Sequence, residues 1–194
     1  MKKIIFATNN ENKLREVSQM LKDGYELSTP VSHGITEDIP ETSDTIEGNA
    51  SQKSNYIFDK LGVNCFADDT GLEVESLNGA PGVYSARYAG EQKDSNDNMA
   101  LLIKNLEGKD NRNARFKTVI SLIIDGKEHL FEGIVEGVIT TKKMGDEGFG
   151  YDPIFVPNGY DISFAQMSSE EKNRISHRGR AVAKLVEFLN NLTE

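Results

Sequence analysis

Two runs rich in β-branched residues, Ala114 to Ile124 and His129 to Thr140, flank the dipeptide Asp125-Gly126, and no other stretch restricts the fold as much. β-Branched side chains suit a pleated, half-buried surface, and Asp-Gly is what a two-residue hairpin turn requires. An antiparallel hairpin is therefore expected. Around it, strand and helix patterns alternate. Lys2 to Thr8 reads as a buried strand, and Leu14, Val17 and Leu21, at spacings of three and four, predict a helix behind it. Thr45 to Leu61 is a second helix, with Ile46, Ala50, Ile57 and Leu61 on one stripe and Lys53 beside it. Asp94 to Leu106 and Ser176 to Leu192 are further amphipathic helices, the last with Val182, Leu185, Val186 and Leu189 inward. Cys65-Phe66-Ala67 forms a strand ending at Asp68-Asp69-Thr70-Gly71, and strand-like spacing resumes at Leu72, Val74 and Leu77. Gly145 to Gly150 is a Gly-rich loop before a short strand at Pro153 to Val156, and Thr29 to Asp44 is a long polar surface loop. Strands alternating with helices, plus one hairpin, give an α/β fold on a mixed sheet.

With 194 residues the chain suits one domain over 1–194, or two closely fused lobes. Its 22 Lys and Arg against 31 Asp and Glu leave a net charge of −9, which excludes a general coat for nucleic acid or an anionic membrane. A small anionic ligand held by a few placed cations is compatible with that balance. No apolar run approaches the ~18 residues of a membrane span. The first apolar run meets Thr8-Asn9-Asn10-Glu11-Asn12 too soon for a signal-peptide core, so a cytoplasmic protein is expected. The single cysteine, Cys65, lies in an apolar strand, where a thiol is usually an inert small hydrophobe.

Several polar groups can carry chemistry. Thr8-Asn9-Asn10-Glu11-Asn12-Lys13 joins the first strand to the first helix, where unpaired N–H groups and the helix dipole favour phosphate; the alternative is an Asn N-cap with a solvated lysine. No Walker or dinucleotide fingerprint occurs. Asp68 and Asp69, adjacent at a strand's C-terminal end, point to opposite sides, so at most one faces a ligand, to hold Mg²⁺ or to take a proton from water; the alternative is a turn before Thr-Gly. Glu41 and Glu73 are candidate second metal ligands or solvated acids. Phe149-Gly150-Tyr151-Asp152 offers a ring for a base to stack on with an acid nearby, or else a plain loop anchor. Ser176 caps the last helix and brings His177 and Arg178 to its start as donors for a carbonyl oxygen. Glu170-Glu171-Lys172 reads as a solvated helix start or, through Lys172, a phosphate contact. His33 and His129 have no metal-ligand spacing.

Taken in order, Thr8-x-Asn10-x-x-Lys13, Asp68-Asp69-Thr70-Gly71-Leu72, Gly79-Ala80-Pro81-Gly82-x-Tyr84-Ser85-Ala86-Arg87-Tyr88, Phe149-Gly150-Tyr151-Asp152-Pro153 and Ser176-His177-Arg178-Gly179 resemble the inosine/xanthosine triphosphate pyrophosphatase family over essentially the whole chain. The resemblance implies an elongated mixed sheet with two lobes around a nucleotide cleft, and a homodimer. It implies Mg²⁺-dependent hydrolysis of ITP, XTP and their deoxy forms to the monophosphate and pyrophosphate, with free nucleotides rather than polymers as partners. Carried onto this sequence, the family pattern puts the triphosphate on Thr8, Asn9, Asn10, Glu11, Asn12 and Lys13, with Lys53 and Lys172 as further cations. The metal falls to Asp69 and the Glu41 region, and Asp69, Lys13 and Lys53 are the catalytic set. Thr70, Phe149, Gly150, Tyr151, Asp152, His177 and Arg178 complete substrate binding, with Phe149 stacking on the base and His177 and Arg178 donating to the 6-keto oxygen. Adenine would set an amino group against those donors, a mismatch worth several kcal/mol when buried. A pyrimidine-directed pyrophosphatase and a non-hydrolysing nucleotide sensor are the rival readings.

Overall fold

In the computed structural model, residues 2–21 and 24–192 are described. The elements run β1 (Lys2–Phe6), α1 (Glu11–Met20), β2 (Tyr25–Ser28), α2 (Ile46–Leu61), β3 (Cys65–Val74), β4 (Pro81–Gly82), α3 (Ser95–Asn105), β5 (Asn113–Ile124), β6 (Lys127–Ile139), β7 (Phe155–Pro157), α4 (Ser169–Ile175) and α5 (His177–Asn191). The strands form one mixed sheet in the order β2-β1-β3-β5-β6-β7, with β4 added to β3. β1 is parallel to both neighbours, whereas β4 and β7 pair antiparallel with β3 and β6. The expected α/β class and mixed sheet are thus observed. Asp125 and Gly126 both take positive φ (51° and 74°), as a two-residue hairpin turn requires, and they join β5 to β6 at the expected place.

The chain divides into two compact units. The first gathers the chain up to Asp69, Thr118–Gly133 and the chain from Arg178; the second gathers Thr70–Lys117 and Ile134–His177. In the first, β1 alternates in the manner of a strand covered on both faces. Ile4 and Phe6 join Val17 of α1 and Ala181, Val182, Leu185 and Leu189 of α5 in one cluster; Ile5 and Ala7 join Ile57 of α2 in another. Phe6 and Phe66 stack with ring centroids 4.5 Å apart. The core of the second unit collects Leu72, Val74, Leu102, Phe116, Val135, Phe155 and Phe164.

Several boundaries differ from the sequence reading. β3 does not end at Asp68-Asp69 and resume later: it is one strand over ten residues, and the acids lie inside it. Aspartates disfavour strands in isolation, but here each carboxylate meets cations from helices packed on its own face, which overrides the local preference. Leu77 lies in a short 3-10 turn, as does Pro153, so the strand near Pro153 shifts to Phe155–Pro157. β2 and α4 emerge as separate elements. No helix among the described residues is long and apolar enough to cross a membrane.

Cys65 is fully buried, its Sγ–H donates to Ser54 O at 3.3 Å, and burial pushes its thiol up to about 12. We expect no reaction of the native protein with an aromatic disulfide reagent at pH 8, and one thiol per chain after unfolding; rapid labelling of the native state would contradict this environment.

Candidate active site

The turn from β1 to α1 uses its polar residues on itself. Asn10 is the N-cap of α1, its Oδ1 accepting from Asn12 N (3.0 Å) and Lys13 N (3.2 Å), and Asn10 N donates to Thr8 Oγ1 at 3.0 Å. Asn9 and Glu11 are exposed, and Thr8 and Asn12 half-buried. The cap reading therefore holds for the backbone, but the lysine is not solvated: Lys13 Nζ donates to Asp68 Oδ1 at 3.2 Å.

β3 sorts the paired acids by its two-residue period. Phe66 and Asp68 face α1 and α5, while Cys65, Ala67 and Asp69 face α2. On the first face Asp68, 2% exposed, receives Lys13 and the Nε of Arg178 (3.3 Å), and Arg178 Nη1 also pairs with Glu16. On the second face Lys53 Nζ lies 2.5 Å from Glu41 Oε1 and 3.6 Å from Asp69 Oδ1, and donates to Asp68 O at 2.6 Å. Three cations and four carboxylates thus interlock in the first unit.

The same burial has opposite outcomes for the neighbouring acids. Burial pushes the Asp68 carboxyl upward, but Lys13, Arg178 and Lys53 outweigh it and hold Asp68 well below the usual carboxylate range. For Asp69 burial prevails over Lys53 and Lys13, and its carboxyl is raised. Burial also lowers Lys13 against the pull of Asp68. In Lys53 burial is overcome by Asp69, Glu41 and Asp68, so that ammonium is raised, and Lys53 in turn draws Glu41 down against its own burial. The two adjacent carboxylates are thus pushed in opposite directions, Asp68 toward its charged form and Asp69 toward its neutral form.

Among the described residues no three His, Cys, Asp or Glu side chains form a metal-holding group. Glu41 and Asp69 do share one cation, Lys53, so two oxygen donors already converge on a positive charge. Such a donor set fits Mg²⁺, which usually takes one or two carboxylates and completes its shell with water and substrate phosphates. Glu73, the other candidate, pairs with Arg115 Nε at 2.9 Å in the second unit.

In the second unit the Phe149–Asp152 loop is tied internally. Asp152 Oδ2 accepts from Phe149 N (3.0 Å) and from Lys172 Nζ (2.8 Å), and that ammonium lies 4.7 Å from the Phe149 ring centroid. Lys172, 6% exposed, is thus neither solvated nor among the cations of the first unit. Gly148 takes φ +77°, and a Cβ there would overlap the Asp152 carboxylate, so only glycine lets the loop close on its acid. Tyr151 OH donates to Ser85 O at 2.7 Å, which uses the Pro81–Tyr88 segment as the loop's support. His177 is 4% exposed and stacks on Phe116 at 4.6 Å, while its neighbour Arg178 belongs to the first unit. Ser176, 2% exposed, ends α4 directly before α5, and Thr70 follows Asp69 as the first residue of the second unit.

Sequence reasoning passed over Glu16, Asn49 and Gln52. Glu16 stands three residues after Lys13 on α1, the spacing at which helical side chains become neighbours, and that spacing was the available signal.

The comparisons with known proteins agree. The Ham1 family model matches residues 4–188. A protein of Flavobacterium psychrophilum named dITP/XTP pyrophosphatase is 57% identical over 188 residues, covering 97% of this chain and 99% of its own; one of the same name from Bacillus subtilis is 43% identical over 193 residues, covering 97% and 98%. Among solved structures, the Staphylococcus aureus Ham1 protein is 41% identical with a TM-score of 0.90, covering 98% of this chain and 99% of its own. A HAM1 protein from Coxiella burnetii is 34% identical with a TM-score of 0.92, covering 98% and 100%. The resemblance that the ordered motifs suggested is therefore borne out, and the chain belongs to the Ham1 family.

Proposed function

We propose that the protein hydrolyses deaminated purine nucleoside triphosphates (ITP, dITP, XTP and dXTP) to the monophosphate and pyrophosphate, acting on free nucleotides in the cytoplasm. The observation that carries this reading is the pair of carboxylates, Glu41 and Asp69, converging on Lys53 beside the β1–α1 turn, together with relatives named dITP/XTP pyrophosphatase. Thr8 to Lys13 receive the triphosphate, with Lys13 and Lys53 neutralising charge on the phosphates. Asp69 and Glu41 would hold Mg²⁺, which would supply further charge neutralisation for the phosphates. Asp69 acts on the water that attacks the α-phosphorus, either as its general base or as its metal-bound orienter, with pyrophosphate leaving.

In the second unit Phe149 offers the stacking face, held by Asp152 and Lys172, with Gly150 and Tyr151 shaping the loop. His177 and Arg178, consecutive in the chain, donate to the 6-keto oxygen. Asp68 and Glu16 fix the orientation of the Arg178 guanidinium. A homodimer is part of the same proposal; sedimentation should return twice the 21.5 kDa of one chain.

The test is product analysis. Pure protein with Mg²⁺ is given ITP, XTP, dITP, ATP, GTP or dTTP, and the products are separated by anion exchange. Monophosphate and pyrophosphate from the keto-purine triphosphates alone are expected. Diphosphate and orthophosphate would overturn attack at the α-phosphorus, and binding without turnover would make the protein a sensor.

A further inference from the structure

The segment that carries Glu41 is laid against α2 by a polar stripe. Thr45, Gly48, Asn49, Gln52 and Lys53 recur at spacings of three, one, three and one, so they occupy one face of the helix. Each of the four side chains, and the missing one, meets the chain around Glu41. Lys53 Nζ takes the Glu41 carboxylate itself. Gln52 reads Thr42 twice, its Oε1 accepting from Thr42 N at 2.8 Å and its Nε2 donating to Thr42 Oγ1 at 2.9 Å. Asn49, 2% exposed, accepts from Ser43 N at 2.8 Å through Oδ1. Ser43 Oγ accepts from Thr45 N at 3.2 Å, and a Cβ at position 48 would overlap that same hydroxyl. Farther back in the loop, Glu37 accepts from Tyr56 OH at 2.7 Å and pairs with Lys60, both on α2. Ser43, Thr42 and Glu41 are thus fixed residue by residue from one helix face, while the Glu41 side chain itself is 40% exposed.

We propose that Gln52, Asn49 and Gly48 are positioning residues of the hydrolytic reaction: they seat the Glu41–Ser43 segment on α2 and so hold the Glu41 carboxylate beside Asp69 for a divalent cation. The inference rests on the reading that Glu41 and Asp69 bind that cation. Without the seat, the exposed segment would sample many conformations, and the cation would have to order it on binding. The cost falls on metal affinity rather than on chemistry once the metal is saturating. Losing outer partners of a metal ligand typically lowers affinity ~10–100-fold.

The experiment measures dITP hydrolysis against Mg²⁺ concentration for the wild type and for Gln52→Ala, Gly48→Ala, Thr42→Val, Thr42→Ser and Glu41→Gln, with melting temperatures alongside. Mn²⁺ titration of each protein alone, followed by the EPR signal of the free ion, gives a readout without turnover. Gln52→Ala is expected to raise the half-saturating Mg²⁺ and the Mn²⁺ dissociation constant about tenfold, while kcat at saturating Mg²⁺ and the melting temperature stay close to wild type. Gly48→Ala should do the same although alanine favours a helix. Thr42→Val should follow Gln52→Ala in part, and Thr42→Ser, which keeps the hydroxyl, should restore wild-type behaviour. If Glu41→Gln weakens both metal readouts and Gln52→Ala and Gly48→Ala leave them unchanged, the seat has no positioning role and the inference fails alone. If Glu41→Gln leaves them unchanged, the metal reading fails and the inference with it.

Discussion

Asp69→Asn should lower kcat for dITP about a thousandfold, the range expected when a positioned general base is removed, while the protein stays folded. Asparagine keeps the shape of the side chain and loses the charge. Lys53 retains Glu41 and the carbonyl of Asp68 as partners, so no buried ammonium is abandoned. The sign of the stability effect follows from the shift. Burial raises Asp69, so the folded state binds its proton more tightly than the unfolded state, and ionising Asp69 above that pKa weakens folding. Asp69→Asn should therefore melt no lower than wild type at pH 7. A variant with near-normal kcat would remove Asp69 from the mechanism.

Arg178→Met should have the largest effect on stability. It leaves Asp68, 2% exposed, and Glu16 without the guanidinium that joins them, and breaking a buried ion pair from one side costs about 3–5 kcal/mol. For a chain of this length that is a fall in melting temperature of roughly 10 °C. The deficit should depend on pH. Asp68 is held well below its unfolded value, so its contribution is present above the unfolded carboxylate pKa and is lost as pH falls through the folded one. Acidification should narrow the gap between wild type and Arg178→Met, because Lys13 and Lys53 alone hold Asp68 less firmly. Base selectivity among dITP, GTP and ATP, measured on the folded fraction, reports separately on the donor role of Arg178. An unchanged melting temperature at pH 7 would show that the Asp68–Arg178–Glu16 network carries little stability.

The parts of the fold that could be read from the sequence are those with local causes. Thr45 caps α2 and Asp94 caps α3 at the expected residues, and the Asp125-Gly126 turn imposes its geometry through positive φ. The continuity of β3 is caused from outside: nothing local shows that Lys13, Arg178 and Lys53, 55, 110 and 15 residues away along the chain, bind Asp68 in mid-strand. The site divides along the same line. Motif residues are visible in the sequence as types, but their pairings, such as Lys172 with Asp152 and Phe149, are not. The stripe on α2 is legible in the sequence, since Gly48, Asn49, Gln52 and Lys53 keep helical spacing, but the apolar stripe beside it is the stronger signal.

The division of the chain also bears on its synthesis. Every residue of the second unit lies between Thr70 and His177, whereas the first unit needs α5, the last element described. On a ribosome the nested unit has all its parts first. Phe6 and Phe66 wait for Ala181, Val182, Leu185 and Leu189, and Asp68 waits for Arg178. Contacts spanning so much of the chain slow folding and leave apolar surface uncovered meanwhile. The unit that holds Lys13, Lys53, Asp68 and Asp69 is therefore the last to close, and a chain halted just before α5 carries nearly all of the second unit with the first unit still open.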